Sequence, residues 1–105
     1  MNPMHASRRE KILASVVVSM LLLSIGACAS VPYQEMSDAR QAIDSARPVV
    51  ADHPGPSEQV SEARELLKKA EAHLEAGEYT AARKVAEEAK ALAIEARENA
   101  ESMPE

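Results

Sequence analysis

Two patterns of apolar residues divide the chain. From Ile12 to Ile25 the residues are uncharged and rich in Val, Leu and Ile, and Arg8, Arg9 and Lys11 precede them. Beyond Tyr33 the apolar positions fall three and four apart. They are Val60, Ala63, Leu66, Leu67, Ala70 and Leu74 in one stretch, then Tyr79, Ala82, Val85, Ala86, Ala89, Leu92, Ala93, Ala96 and Ala100 in the next. That spacing gathers them on one face of an α-helix, with Glu, Lys and Arg on the others. Pro48, Pro54, Gly55 and Pro56 interrupt the pattern once, and Gly77 interrupts it again. Proline removes a backbone donor and pushes its predecessor out of the helical region, and glycine is the usual residue just past a helix end. The pattern therefore predicts helices over Gln34 to Arg47, Pro56 to Ala76 and Glu78 to Ser102. Pro56 suits a first helical position, Glu58 suits the positive end of the helix dipole, and Glu65 with Lys69 has the favourable i, i+4 order.

Laying the helices over one another exposes an internal repeat. Ala39 to Ala46, Ala63 to Ala70 and Ala82 to Ala89 share Ala-Arg, one polar residue, two apolar residues, two polar residues and Ala. Each helix thus offers two alanines one heptad apart, and alanine lets helix axes approach to the short end of the usual range of about 8 to 10 Å. The helix-packing face is predicted to comprise Ala63, Leu67, Ala70, Leu74, Tyr79, Ala82, Ala86 and Ala89. The expected fold is all-α: an antiparallel three-helix bundle, or a helical hairpin with a short first helix.

Composition narrows the function classes. The 105 residues carry a net charge of −5 and include no Trp, no Phe, two Tyr and three Gly. One small domain is the most that fits, and the material of a β-sandwich or an aromatic-lined pocket is missing. The acidic balance argues against nucleic acid, which calls for a basic stripe. An alanine-rich core is thin, so an envelope protein partner or self-association would add useful buried area.

The start of the chain reads as an address. A basic n-region followed by a fourteen-residue apolar run matches a secretory signal peptide and falls short of the roughly 20 residues that span a bilayer. Continuing the apolar stretch to Val31 reaches spanning length, the pattern of an uncleaved anchor. Ile25-Gly26-Ala27-Cys28 contains the single cysteine and resembles the bacterial lipobox. That resemblance implies a diacylglyceryl group on the Cys28 thiol, cleavage before Cys28 and acylation of the new amino group. Two or three chains anchor firmly, since each buried methylene contributes about 0.8 kcal/mol. Ala29, rather than Asp, after the lipidated cysteine implies the periplasmic leaflet of an outer membrane. The domain reading is a signal peptide over 1–27, lipidated cysteine and tether over 28–33, and an Ala-rich helical domain over 34–103. With one cysteine no intramolecular disulfide is expected.

Ala76 to Ala89 is similar to the second half of a tetratricopeptide repeat, with Gly77 as the turn and Tyr79 and Ala82 packed under the preceding helix. One repeat makes no solenoid. The stretch from Cys28 onward resembles the small bacterial lipoproteins of domain of unknown function 4398. The likeness lies in the lipidated cysteine, Ala-Arg-x-Ala-Ile at Ala39 to Ile43, the opening at Pro56 to Glu58, and Leu-Glu-Ala-Gly-Glu-Tyr-x-x-Ala-Arg at Leu74 to Arg83. That family brings no established activity. Murein lipoprotein offers a second comparison, but Gly and Pro break what would have to be one continuous helix.

No pairing of nucleophile and base stands out. Ser37, Ser45, Ser57, Ser61 and Thr80 sit at predicted helix starts or on polar faces. His53 and His73 lack further ligands at i+3 or i+4, so no metal is expected, and Glu87, Glu88 and Glu95 read as solvated. No cofactor, catalytic residue or small-molecule substrate is expected. The sequence points to a non-catalytic, lipid-anchored cell-envelope protein, a structural or interaction module facing the periplasm, with membrane lipid as its partner through Cys28. The alternative is an accessory or chaperone-like lipoprotein that escorts an envelope substrate.

Overall fold

A computed structural model describes residues 8–19 and 31–104. The chain forms two units, Met1–Ser30 and Val31–Glu105. In the first, residues 8–19 are helical (α1), with Ile12, Leu13, Val16, Val17 and Val18 exposed. Among the described residues no helix is long and apolar enough to cross a membrane.

The second unit is an all-α bundle of three helices, α2 (Tyr33–Val50), α3 (Pro54–Glu75) and α4 (Tyr79–Ser102). The first of these is not short. Where Pro48 was expected to end it at Arg47, it runs through Pro48 to Val50. Asp44 and Pro48 both lie on the exposed face, so the carbonyl that loses its N–H partner there faces water. Val50, in contrast, is buried with Ile43 and Ala46, and only another turn of helix can place it there.

The next helix begins two residues earlier than the Pro56 start read from the sequence. Pro54 takes the first helical position behind His53, whose extended backbone is what a residue before proline requires. Pro54 and Pro56 both fall where helical N–H groups have no intrahelical acceptor, so neither costs the helix a bond. Pro56 is buried, which gives its position a packing reason as well.

Gly77 closes α3 as expected, and the atoms show how. Its N–H bonds the Leu74 carbonyl at 3.0 Å, and the Glu78 N–H bonds the His73 carbonyl at 2.9 Å. These are the two bonds of a Schellman motif, with Gly77 in the left-handed region at φ 78°. Glu78 becomes the cap of α4 rather than its first residue.

Within this unit α3 runs antiparallel to both α2 and α4, and α2 and α4 run parallel. Glu35 near the start of α2 pairs with Arg83 near the start of α4, whereas Gln59 near the start of α3 meets Asn99 near the end of α4. All three helices keep a strict heptad spacing of core residues. In α2 these are Met36, Ala39, Ile43, Ala46 and Val50; in α3, Pro56, Val60, Ala63, Leu67, Ala70 and Leu74; in α4, Ala82, Ala86, Ala89, Ala93, Ala96 and Ala100. The alternating three-four step is that of left-handed coiled-coil packing.

Antiparallel neighbours bring the first core position of one heptad level with the second core position of the other. The bundle therefore stacks in layers: Pro32, Leu74 and Ala82; Met36, Ala70 and Ala86; Ala39, Leu67 and Ala89; Ile43, Ala63 and Ala93; Ala46, Val60 and Ala96; Val50, Pro56 and Ala100. The two hydrophobic clusters of the core divide along these layers, with Leu67 packed against both. From Met36 to Val60 the heptad positions of each layer hold one large side chain, drawn alternately from α2 and α3 and matched by alanine from α4, and Val85 of α4 is buried beside Met36, Ala70 and Ala86. Leu92 of α4, Leu66 of α3 and Ala42 and Val49 of α2, all partly buried, flank the seam.

Tyr79 departs from the predicted packing face, being 36% exposed. It is the first residue of α4, three positions ahead of the end layer at Ala82. Helical side chains tilt towards the helix N-terminus, which aims Tyr79 off the end of the bundle. The expected Glu65–Lys69 pair is also replaced, since Glu65 bonds Lys68 at 3.1 Å.

The one-large-per-layer rule makes a direct prediction. Ala89→Leu puts a second leucine beside Leu67, and such overpacking costs about 1 to 3 kcal/mol. Leu67→Ala empties the same layer and costs about 2 kcal/mol or more. The double variant moves the large residue from α3 to α4, so chemical denaturation should find it less damaged than the two losses added together. Glu88→Gln, on the exposed face, should stay within about 0.5 kcal/mol. Strict additivity would refute the layer assignment.

A second prediction concerns the turn. A Cβ at Gly77 would meet nothing within 4 Å, so only backbone conformation opposes a side chain. Gly77→Ala should cost about 1 kcal/mol, read as a drop of roughly 4 to 8 °C in Tm for a domain of this size.

Candidate functional site

Ile25, Gly26, Ala27 and Cys28, the residues with the clearest chemistry in the sequence, lie outside the described residues. What the structure does describe is where the folded domain takes over from them. Pro32 is fully buried, its carbonyl accepts from the Met36 N–H at 3.1 Å, and Tyr33 already belongs to α2. Pro32 and Tyr33, expected as the far end of a tether over 28–33, thus belong to the folded domain.

That end of the bundle gathers the starts of α2 and α4 and the Gly77 turn. Val31 and Tyr33 are 39% and 69% exposed, beside the 36% of Tyr79. His73 Nδ1 lies 3.2 Å from Glu78 Oε1, tying the last turn of α3 to the cap of α4, with the nitrogen donating in the tautomer that carries its proton there. At the opposite end, His53 caps α3 and lies in the Ala51–His53 turn.

Of the other predicted face residues, Ala63, Ala70, Ala82, Ala86 and Ala89 have no exposed surface. Leu67 and Leu74 are partly buried against the core. Ser45 and Ser61 bond carbonyls one turn back on their own helices, the Ser45 hydroxyl donating to Gln41 at 2.8 Å and the Ser61 hydroxyl to Ser57 at 3.3 Å. Both hydroxyls are engaged with helix backbone.

Sequence reasoning missed the polar pairs between helices. The Arg83 Nε donates to Glu35 at 3.0 Å, Arg40 donates to Glu71 at 3.0 Å, and Asn99 donates to Gln59 at 3.2 Å. Lys90 lies 3.7 Å from Asp38. The first three pairs join residues immediately adjacent to core positions, where coiled coils place their interhelical contacts. The heptad was the available signal, but it names a partner only once the direction of each helix is known.

Among the described residues the surface holds open depressions. One groove follows α2 and α4 past Asp38, Gln41, Ala42, Ser45, Lys90 and Ile94, and continues beside Arg97, Glu98 and Glu101. Another lies over the first turns of α3, lined by Gly55, Glu58, Gln59, Ser61, Glu62 and Glu65. Among the described residues no three His, Cys, Asp or Glu side chains converge as metal ligands, and no buried side-chain polar atom lacks a partner. The chemistry on offer is that of solvated helix faces: charge pairing and contact with another surface.

Comparison with known proteins finds no match among curated sequences and none among solved structures. One family matches, over residues 34–104, a span that takes in α3, α4, both connecting turns and all of α2 but its first residue. The chain belongs to the family described as Domain of unknown function (DUF4398).

Proposed function

We propose that this chain is a non-catalytic, lipid-anchored cell-envelope protein whose helical bundle acts as a structural or interaction module facing the periplasm. The observation that carries the reading is one of order along the chain. A basic start, a short apolar run and the Ile25 to Cys28 motif stand directly ahead of a domain whose first buried residue is Pro32. The alanine interior supports a module rather than an enzyme, since its layers are filled by helix contacts and the charges lie on outer faces, where they are available to a protein partner.

Anchoring is tested at the thiol. In bacteria fed labelled palmitate the wild-type protein should take up label, and Cys28→Ala should lose it and accumulate as a longer precursor; label retained by the variant would defeat the proposal. Membrane fractionation tests the address. Wild type should fractionate with the outer membrane, and Ala29→Asp should shift it to the inner one. Cross-linking in intact cells then separates the two modes of action, with a stable protein partner expected for a scaffold and transient lipid or apolar cargo for an escort.

A further inference from the structure

We infer that the end of the bundle formed by Val31, Tyr33 and Tyr79 is a membrane-docking tip that rests in the headgroup region of the bilayer, so that the bundle stands on the membrane instead of trailing from it. This rests on the proposed anchor at Cys28 and adds an orientation that the anchor alone does not supply.

Chain length limits the separation first. Pro32 is locked into the end layer, and the four residue steps from Cys28 to Pro32 span at most about 14 Å when fully extended. An acyl group on Cys28 places its sulfur at the membrane surface, so the end layer stays within about 14 Å of that surface, close enough for its side chains to reach the headgroup region. No other part of the bundle is held this way.

The surface at that end has the matching chemistry. Tyr33 and Tyr79 are the only aromatic residues in the chain, and each is the first residue of a helix. Because α2 and α4 are parallel, both helices start at this end, and the tilt of helical side chains towards the N-terminus aims both rings outward along the axis. Tyrosine combines an apolar ring with a polar hydroxyl and is enriched at membrane–water interfaces for that reason. Among the described residues of the bundle five large apolar side chains are exposed, and Val31, Tyr33 and Tyr79 share this one end. Charge follows the same axis. The half nearer Cys28, residues 31–41 and 65–91, has eight acidic and six basic residues; the far half, residues 42–64 and 92–104, has seven acidic and three basic. The more acidic half is therefore held away from an anionic surface.

The chain contains no Trp, so its intrinsic emission comes from these two tyrosines alone. The full chain would be expressed in bacteria, recovered from membranes and reconstituted into vesicles of phosphatidylethanolamine and phosphatidylglycerol. Its mass reads acylation, and its emission reads docking. Docking predicts that nitroxide-headgroup lipid quenches both tyrosines and that aqueous iodide loses most of its effect, with Tyr33→Phe and Tyr79→Phe reporting each ring separately. A tyrosine placed at the far turn by Asp52→Tyr, in the Tyr33→Phe/Tyr79→Phe background, should remain open to iodide. Acylated protein whose tyrosines iodide reaches freely would overturn docking and leave the anchor standing. Unacylated protein with shielded tyrosines would overturn the anchor and keep the docked tip, and unacylated protein with exposed tyrosines would overturn both. Shielding of the far tyrosine would overturn the orientation.

Discussion

The bundle depends on a volume constraint: along its middle, each core layer has room for one large side chain. Met36, Leu67, Ile43 and Val60 take that room in turn, two from α2 and two from α3, while α4 supplies alanine at every heptad core position and adds the buried Val85 beside Met36. A helix lined with alanine is a smooth rod that brings its neighbours to the short end of the usual range of axis separations. The arrangement gains close backbone contact at the expense of apolar area, since alanine contributes far less than leucine. What area does not supply, local conformation does: Ala, Glu, Lys, Arg and Leu are the strongest helix formers, and they dominate α3 and α4.

Smoothness carries a cost in specificity. An all-alanine face gives a neighbouring helix little to register against, and sliding by one heptad would bury nearly the same surface. The pairs beside the core supply the missing information. Glu35 with Arg83 fixes α2 on α4, Arg40 with Glu71 fixes α2 on α3, and Gln59 with Asn99 fixes α3 on α4. Each is partly or largely exposed and worth about 0.2 to 1 kcal/mol at most. Their value lies in the misregistered alternatives that would leave them unpaired.

Helix existence and the apolar face were legible because both follow from local periodicity. The three-fold Ala-Arg repeat marked six alanines, and all six are fully buried. Two features were not legible. Pro48 looked like a terminator because its effect is local, whereas the burial of Val50 that keeps the helix going comes from the rest of the core. Tyr79 looked like a core residue because it continues the spacing, but a spacing rule does not register that the last layer of the bundle has already been passed. The interhelical pairs stayed hidden for a third reason, since antiparallel and parallel neighbours match the same charged residues differently. The residues with the clearest functional signal, Ile25 to Cys28, owe it to sequence motif alone.

The two three-residue connections, Ala51–His53 and Ala76–Glu78, also bear on how the chain reaches this state. Each joins antiparallel neighbours, so the first contacts to form lie close together in sequence, and little loop entropy is lost in making them. The parallel contact between α2 and α4 joins residues as far apart as Glu35 and Arg83, yet both are already attached to α3 when the hairpins have closed. Topologies of this kind belong to the fast folders, with times of microseconds to milliseconds. For a chain delivered unfolded across a membrane, as its proposed route requires, speed limits how long three apolar helix faces stand open to proteases and to one another. On that proposed route the brevity of its turns is a safeguard during delivery as much as a feature of the finished bundle.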